Sequence, residues 1–386
     1  MIKAITACTA EIDDVDTAVL EILTQLNTPQ SLCAHSVGFI SCYSEFIETG
    51  VIKAICKALP FDVIGCTTAG NAIPKAIGEM LCCLIVLTSN DLLFASGVSG
   101  SLAEVQEGPL AEAYQQTRAK LPGEPALMFA FTPMMRQVTS EILVEILNTI
   151  NPKLPIFGAQ AVDYIDITEF KDSYTLFNGE EQREAVAFTL VYGELQPSFF
   201  VTSLSNVNIQ KQKATITKSE GNCVMEVNQM PLMTYLEKLG MLGLSQGTNL
   251  SFPFMVDYQD GIQPPVPRAM YSITSEGYVL FSGRMPVGAT LAVGDMDYAD
   301  VLHTTSEVLN KVMNKKSSCI LLFSCLMRYI VLGVDTTAEM QLVCSTIGKG
   351  KSYHFAYTGG ELCPVYNEEG GLVNRFHNCS FIVCVL

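Results

Sequence analysis

The sequence predicts an α/β to α+β protein in which two packed domains are built from mixed β-sheets flanked by helices. In the first 150 residues, short apolar runs alternate with segments of helical periodicity, a pattern typical of helices that pack on a sheet. Farther along, strand-like runs follow one another with few helices between them. The chain has 386 residues, of which 49% are hydrophobic and 16% charged, so it can bury two sizeable cores.

Apolar spacing predicts the elements of the amino-terminal half. Residues 15–26 form a one-sided helix, because Val15, Val19, Ile22 and Leu26 recur at helical spacing. Further helices are predicted at 46–59, 109–121 and 137–150, and strands at 2–8, 36–41, 61–67, 80–88, 92–98 and 127–132.

The carboxy-terminal half is predicted to be richer in strands. They are expected at 184–201, 214–218, 252–256, 271–273, 278–281, 319–324, 353–357 and 380–385, and helices at 231–239, 298–313 and 337–347. We place a domain boundary near residue 200, which gives domains of residues 1–200 and 201–386. No Pro- or Ser-rich linker separates them, so we expect them to pack together.

One local pattern occurs twice in the chain. Phe39-Ile40-Ser41-Cys42 precedes a helix, a strand and Thr68-Ala69-Gly70-Asn71-Ala72-Ile73-Pro74, and Leu322-Phe323-Ser324-Cys325 precedes a helix, a strand and Thr358-Gly359-Gly360-Glu361-Leu362-Cys363-Pro364. One interpretation is an internal duplication of a βαβ unit, and the other is chance similarity between two turns. A duplication predicts two related half-sites that face each other across a cleft.

Composition excludes several classes of function. The net charge of −16, with no basic cluster to offset it, disfavours nucleic acid as a partner. The longest apolar run, 319–334, is shorter than a membrane span and contains Arg328. We expect no signal peptide, and the 14 cysteines lie mostly in apolar runs, so we expect a reduced, cytoplasmic protein. The high apolar content leaves a homo-oligomer open.

Metal and cofactor motifs are weak. No C-x-x-C occurs, the histidines lack metal-ligand spacing, and the Gly-Lys-Ser at 350–352 lacks the glycine and the preceding strand of a phosphate loop. We therefore expect no metal and no cofactor. Haem bound through a histidine is kept as an alternative, with the candidates His35, His303, His354 and His377.

Two cysteines are candidate nucleophiles. Cys66 and Cys325 each lie at the end of a predicted strand, and Cys325 precedes Arg328 by three residues. A nearby cation lowers a thiol pKa, but the sequence places no histidine base beside either cysteine. The alternative is that both are buried thiols of the core.

A polar cluster stands out in the apolar carboxy-terminal part. Its members are Arg328, Glu339, Tyr357, Thr358, Glu361 and Asn378. Arg328 could pair with Glu339 or Glu361 to brace the fold. Alternatively, the cluster forms a small-ligand site in which the arginine binds a carboxylate and a glutamate binds an amine.

Several motifs resemble those of FIST domains. In the amino-terminal half, Val63–Gly70 resembles a FIST_N turn with the pattern G-C-[ST]-T-A-G-E, and 155–161 resembles a later turn of that domain. In the remainder, 225–236 is similar to the opening of FIST_C, and 323–328, 355–364 and 378–380 are similar to its closing motifs. The resemblance covers essentially the whole chain in the right order.

The resemblance implies a sensory protein that binds a small ligand, with an amino acid or related metabolite suggested, and signals through a separate partner protein. The residues that match motif positions are Cys325, Arg328, Tyr357, Thr358, Gly360, Glu361 and Asn378, and in the amino-terminal turn Cys66, Thr67, Thr68 and Gly70. Three positions depart from the family pattern: Asn71 replaces an acidic residue, Ala159 a glycine and Ser380 a threonine. A cysteine-dependent enzyme and a protein-interaction scaffold remain the alternative functions.

Overall fold

A computed structural model describes residues 2–27, 30–103, 107–135, 140–162, 173–241, 252–262 and 265–386 of the chain. These residues form 25 strands and nine α-helices. None of the helices within these ranges has both the length and the apolar character needed to cross a membrane.

The strands of the amino-terminal part and of the middle are β1 Ile2–Thr9, β2 His35–Cys42, β3 Val63–Thr67, β4 Gly70–Ile73, β5 Ala76–Gly78, β6 Cys82–Ser89, β7 Leu93–Val98, β8 Leu127–Thr132, β9 Ile156–Gln160, β10 Thr175–Phe177, β11 Glu180–Gln182, β12 Ala187–Tyr192 and β13 Ser198–Thr202. The later strands are β14 Ala214–Glu220, β15 Cys223–Val227, β16 Met230–Pro231, β17 Pro253–Asp257, β18 Val266–Ile273, β19 Val279–Phe281, β20 Thr290–Val293, β21 Ile320–Cys325, β22 Tyr353–Thr358, β23 Gly360–Tyr366, β24 Leu372–His377 and β25 Phe381–Val385.

The helices are α1 Val15–Leu26, α2 Glu45–Glu48, α3 Val51–Ala58, α4 Glu107–Arg118, α5 Ser140–Ile150, α6 Leu232–Lys238, α7 Tyr298–Met313, α8 Leu326–Val331 and α9 Ala338–Ile347. Aspartates begin two of them, because the Asp14 and Asp297 side chains accept from the free backbone N–H groups of Thr17 and Asp300. The helix predicted at 46–59 is instead two helices. Gly50 between them has a φ of +82°, a conformation that glycine adopts readily.

Three six-stranded sheets share one plan. Sheet A has the order β1-β6-β2-β3-β10-β11, sheet B β7-β12-β8-β9-β23-β24 and sheet C β13-β25-β21-β22-β4-β5. In each, the third and fourth strands are parallel and joined by helices, and all other neighbours are antiparallel. The fold therefore contains three βαβ units: β2–β3, β8–β9 and β21–β22.

The three units exchange strands in a cycle. After its second parallel strand, the chain of each unit crosses to the next sheet and adds a hairpin there: β4–β5 joins sheet C, β23–β24 joins sheet B and β10–β11 joins sheet A. Three backbone hydrogen bonds of 2.9–3.1 Å mark the crossings, from Ala69 to Tyr357, from Gly359 to Gln160 and from Val162 to Thr67. Sheets B and C thus contain strands from both sides of residue 200, while the boundary placed there stays a prediction.

The main core lies between the three sheets. Buried apolar side chains from the inner faces of all three form one cluster, in which the Phe157 and Phe323 rings stack with centroids 5.5 Å apart. Helices cover the outer faces: α1 and α3 on sheet A, α4 and α5 on sheet B, and α7 to α9 on sheet C. We call this assembly the three-sheet body.

A fourth sheet is inserted between β13 and α7. Sheet D has the order β14-β20-β17-β18-β19-β15-β16, and β14 also pairs with β15, so the sheet closes on itself around its own apolar cluster. Arg268 of β18 anchors it to the three-sheet body. Its Nη2 donates to Glu141 of α5 at 2.8 Å, and its Nη1 donates to the Asn378 amide oxygen at 3.2 Å.

The predicted fold class is confirmed: mixed sheets are flanked by helices. Both predicted repeats are βαβ units, and β8-α5-β9 is a third one that lacks the Ser-Cys and Thr-x-Gly pattern. A different signal links it to the first unit. At Gly65 and at Gly158 an added Cβ would lie 1.8 Å from a carbonyl oxygen of the neighbouring parallel strand, so neither position accepts a side chain.

Candidate functional site

Arg328 and Glu339 form a buried ion pair between α8 and α9. Nη2 and Nε of the arginine donate to Oε1 of Glu339 at 2.8 and 3.1 Å, and neither side chain is exposed. Oε2 accepts from Ser324 Oγ at 2.7 Å, and Thr305 Oγ1 donates to Oε1. Both carboxylate oxygens are bonded within the protein, which offsets the desolvation of the pair.

The other donors of Arg328 bind the chain around it. Nη1 donates to the carbonyl of Ser203 at 3.0 Å, and Nη2 to the carbonyl of Val301 at 2.8 Å. All three guanidinium nitrogens are therefore engaged, so a ligand carboxylate would have to displace one of these contacts. Of the two ion pairs that the sequence left open, Arg328 forms the one with Glu339.

Glu361 begins the hairpin that crosses from sheet C to sheet B. Thr358 Oγ1 donates to its Oε1 at 3.2 Å, whereas Oε2 is buried and has no hydrogen-bond partner among the described residues. Burial raises the pKa of Glu361 well above its ordinary value, and nearby Cys325 adds to the shift. Burial therefore favours the neutral form of this carboxyl group.

The other predicted residues near Glu361 in the sequence are buried as well. The Tyr357 hydroxyl is buried and has no partner among the residues that the structure describes. Gly360 lies against Phe376, whose ring atom Cζ would be 2.4 Å from an added Cβ. The Asn378 side chain is buried and binds Arg268, as described above.

The amino-terminal turn is a closed hydrogen-bond network. Thr67 Oγ1 accepts from the Tyr174 backbone N–H at 2.9 Å. Thr68 Oγ1 donates to Asn71 Oδ1 at 3.0 Å, and Asn71 Nδ2 donates to the carbonyl of Leu81 at 2.8 Å. Gly70 follows on β4 and pairs with Tyr357 of sheet C. The two predicted half-sites are therefore adjacent through strand pairing, rather than opposite each other across a cleft.

The candidate nucleophiles Cys66 and Cys325 are buried. Burial raises the pKa of each thiol above its ordinary value, so the reactive thiolate is disfavoured. No hydrogen bond joins either of them to a histidine in the described part of the chain. All 14 cysteines are free thiols.

The four histidines lie in two settings. His35 and His303 are exposed, and Nε2 of His303 lies 3.6 Å from Oε1 of Glu307. His354 and His377 are buried, and burial lowers their pKa to about 4 and about 3. Among the residues that the structure describes, no three His, Cys, Asp or Glu side chains are close enough together to hold a metal ion.

A cavity of about 390 Å³ lies where sheet D meets the three-sheet body. Its apolar lining comes from β13, β17, β18 and β20 and from the segments that lead into β14 and β18. Its polar lining includes Thr202, Ser203, Lys213, Asp257, Thr290, His377 and Ser380.

The predicted cluster lies directly behind this cavity. Arg328 holds the carbonyl of Ser203 in the cavity wall, and Asn378 lies between the lining residues His377 and Ser380 in the sequence. Sequence reasoning quoted Ser380 only as a motif position. It missed Lys213 and Asp257 altogether, because neither lies in a motif and only the closure of sheet D brings them to the cavity.

Comparison with protein families gives two matches in chain order. The FIST N domain matches residues 36–230, and the FIST C domain matches residues 232–364. Together they cover most of the chain, in agreement with the motifs. No curated protein is significantly similar to the chain.

Proposed function

The chain belongs to the FIST family, and from this we propose that it is a sensory protein that binds a small ligand in the cavity between sheet D and the three-sheet body. FIST domains are generally associated with sensory signal transduction. We propose further that the signal passes to a separate partner protein in the cytoplasm.

The cavity is the observation that carries this proposal. Its volume of about 390 Å³ falls in the range of roughly 300–1,000 Å³ that is typical of small-molecule sites. It also lies at the junction of two separately cored parts, where ligand sites are common. A ligand in the cavity would contact both parts, so its binding energy would depend on how sheet D packs against the three-sheet body.

The rim of the cavity supports the ligand class that the family resemblance implies. Lys213 immediately precedes β14 and Asp257 ends β17, and these strands flank β20 on opposite sides. The two strands are two strand spacings apart, about 10 Å. An amino acid or a related metabolite carries a carboxylate for the lysine and an ammonium group for the aspartate.

A mass-spectrometric search for small molecules that co-purify with the native protein tests the proposal. The variant Thr290→Trp fills the cavity from a half-buried position, and Thr149→Trp on the exposed face of α5 is the matched control. We expect a molecule that the wild type and the control retain and that Thr290→Trp loses. Added back at 100 times its Kd, it should stabilise the wild type by about 2.7 kcal/mol.

Identical small-molecule content in the wild type and both folded variants would contradict a ligand site in this cavity. A molecule that Thr290→Trp retains would place the site elsewhere.

A further inference from the structure

One ring nitrogen of His377 forms a hydrogen bond with the protein, and the other forms none with the described residues. The ring lines the cavity and is only 3% exposed. Nε2 lies 3.0 Å from the carbonyl oxygen of Cys363. A carbonyl only accepts, so Nε2 carries the hydrogen and Nδ1 is a lone-pair acceptor. No other described residue forms a hydrogen bond with the ring.

The imidazole stays neutral at physiological pH. Burial lowers the pKa of His377 to about 3, and the positive charges of Arg268 and Arg375 act in the same direction, against the opposing effect of the Cys363 contact. Nδ1 therefore gains no proton between pH 5 and 8, and this end of the cavity presents no imidazolium to an anion.

Ser380 lies beside His377 in the lining of the cavity and is fully buried. Its hydroxyl donates to the carbonyl of Asn378 at 2.8 Å, so it offers no hydrogen to an anion. We call His377 and Ser380 the floor of the cavity. The cation that lines the cavity is Lys213, an exposed residue of the rim with no ion pair among the described residues.

We propose that a ligand enters this cavity with an O–H or N–H donor end toward the floor, where His377 Nδ1 accepts, and that its anionic end stays at Lys213. His377 is then a specificity-determining residue, because a carboxylate or phosphate at the floor would face acceptors only. This inference rests on the proposed function, since it takes the cavity as the ligand site. It adds the orientation of the ligand and the group that selects it.

Selective ¹⁵N labelling of histidine tests the inference directly, because the chain has four histidines. His354 is an internal control: it is also buried and also bonded through Nε2, to Ser41 at 2.7 Å, but it does not line the cavity. The probes are benzyl alcohol and benzamide. Benzyl methyl ether and N,N-dimethylbenzamide are their donor-free counterparts, and benzoate is an anion that only accepts.

We expect the two donor probes to shift the Nδ1 resonance of His377 and to leave His354 unchanged. Removal of the donor should weaken binding by about two- to tenfold, the effect of one neutral hydrogen bond. The variant His377→Phe should bind each probe and its donor-free counterpart equally. If that variant does not fold, the ¹⁵N spectra of the wild type with the five probes are sufficient to test the orientation.

Two results would overturn the orientation while the cavity stands as the site. One is equal binding of each pair to the wild type, with Thr290→Trp blocking both members. The other is a shift of His377 Nδ1 by benzoate. If none of the five probes binds, or if Thr290→Trp binds them all like the wild type, the inference and the cavity site fail together.

Discussion

The turn at Thr68–Asn71 and the turn at Thr358–Glu361 lie at equivalent places in two βαβ units, but the side chains at their last residues differ in how completely they are hydrogen-bonded. Each follows the second parallel strand of a βαβ unit, each carries a threonine that donates to the residue three positions later, and each leads into the strand that crosses to the next sheet. Asn71 has an amide that donates onward to Leu81, whereas Glu361 has a second oxygen without a partner among the described residues.

The comparison separates a turn whose side-chain hydrogen bonds are complete from one that leaves a carboxyl oxygen without a partner among the described residues. Asn71 is an amide, and both ends of its side chain are hydrogen-bonded. Glu361 is an acid whose pKa is raised by burial, and its Oε2 has no hydrogen-bond partner among the described residues. Buried polar atoms without a partner are rare in native proteins and often mark functional positions. The two turns therefore differ in chemistry although their hydrogen-bonded frame is the same.

The strongest test restores the acid in the amino-terminal turn. Asn71→Asp removes the donor to Leu81 and introduces a carboxyl group into a fully buried position. We expect a loss of about 3 kcal/mol in the free energy of unfolding, measured by urea denaturation at pH 7. Asn310→Asp, at an exposed position of α7, is the control and should change stability little. A loss below about 1 kcal/mol would show that this turn tolerates the acid as the other does.

The second test concerns the glycine that follows each threonine by two residues. An added Cβ at Gly360 would lie 2.4 Å from the buried Phe376 ring, and at Gly70 it would lie 3.4 Å from Tyr357. We expect Gly360→Ala to cost about 2 kcal/mol through overpacking and Gly70→Ala to cost less than about 1 kcal/mol. Thermal unfolding of the two variants measures the difference between their losses of stability. Equal losses would mean that the two glycines are packed equally tightly.

The third test gives Glu361 the amide of its counterpart. The folded state holds the Glu361 proton to a higher pH than the unfolded state does. The contribution of this proton to the free energy of unfolding is therefore fully present at low pH. It falls as the pH rises toward the raised pKa. Glu361→Gln lacks this loss, so we expect it to be about 1–2 kcal/mol more stable than the wild type at pH 8 and similar at pH 4.

Denaturation of Glu361→Gln across pH 4–8 measures the divergence, with the exposed Glu237→Gln as the control. Parallel curves for the wild type and Glu361→Gln would mean that the buried carboxyl titrates normally.

The smallest effect is expected at the thiols of the two units. Cys66 and Cys325 are both buried with raised pKa values, so neither should react with a maleimide at pH 7 before unfolding. The partly exposed thiols should react first and serve as positive controls; they are Cys8, Cys33, Cys223 and Cys344. Rapid labelling of Cys325 but not of Cys66, located by peptide mass spectrometry, would show that the two thiols differ in reactivity. It would support the alternative of a cysteine-dependent enzyme.

Local pattern was enough to predict many elements of this fold. The helix at 298–313 and the strand at 127–132 were predicted with their observed bounds, because apolar periodicity and flanking turns are local properties. Two of the three βαβ units were visible as repeated motifs. The third was not, since Ala161 stands at the position that Thr68 and Thr358 occupy in the other two.

The sequence by itself determined the fold class, the family and the residues of the polar cluster, because each depends on neighbours in the chain. Only the tertiary structure decided how they are used. Whether Arg328 braces the fold, whether the carboxyl of Glu361 is satisfied, and which residues line the cavity all depend on strands that are far apart in the sequence. The crossing hairpins and the closure of sheet D bring those strands together, and long-range pairing of this kind leaves no local signal in the sequence.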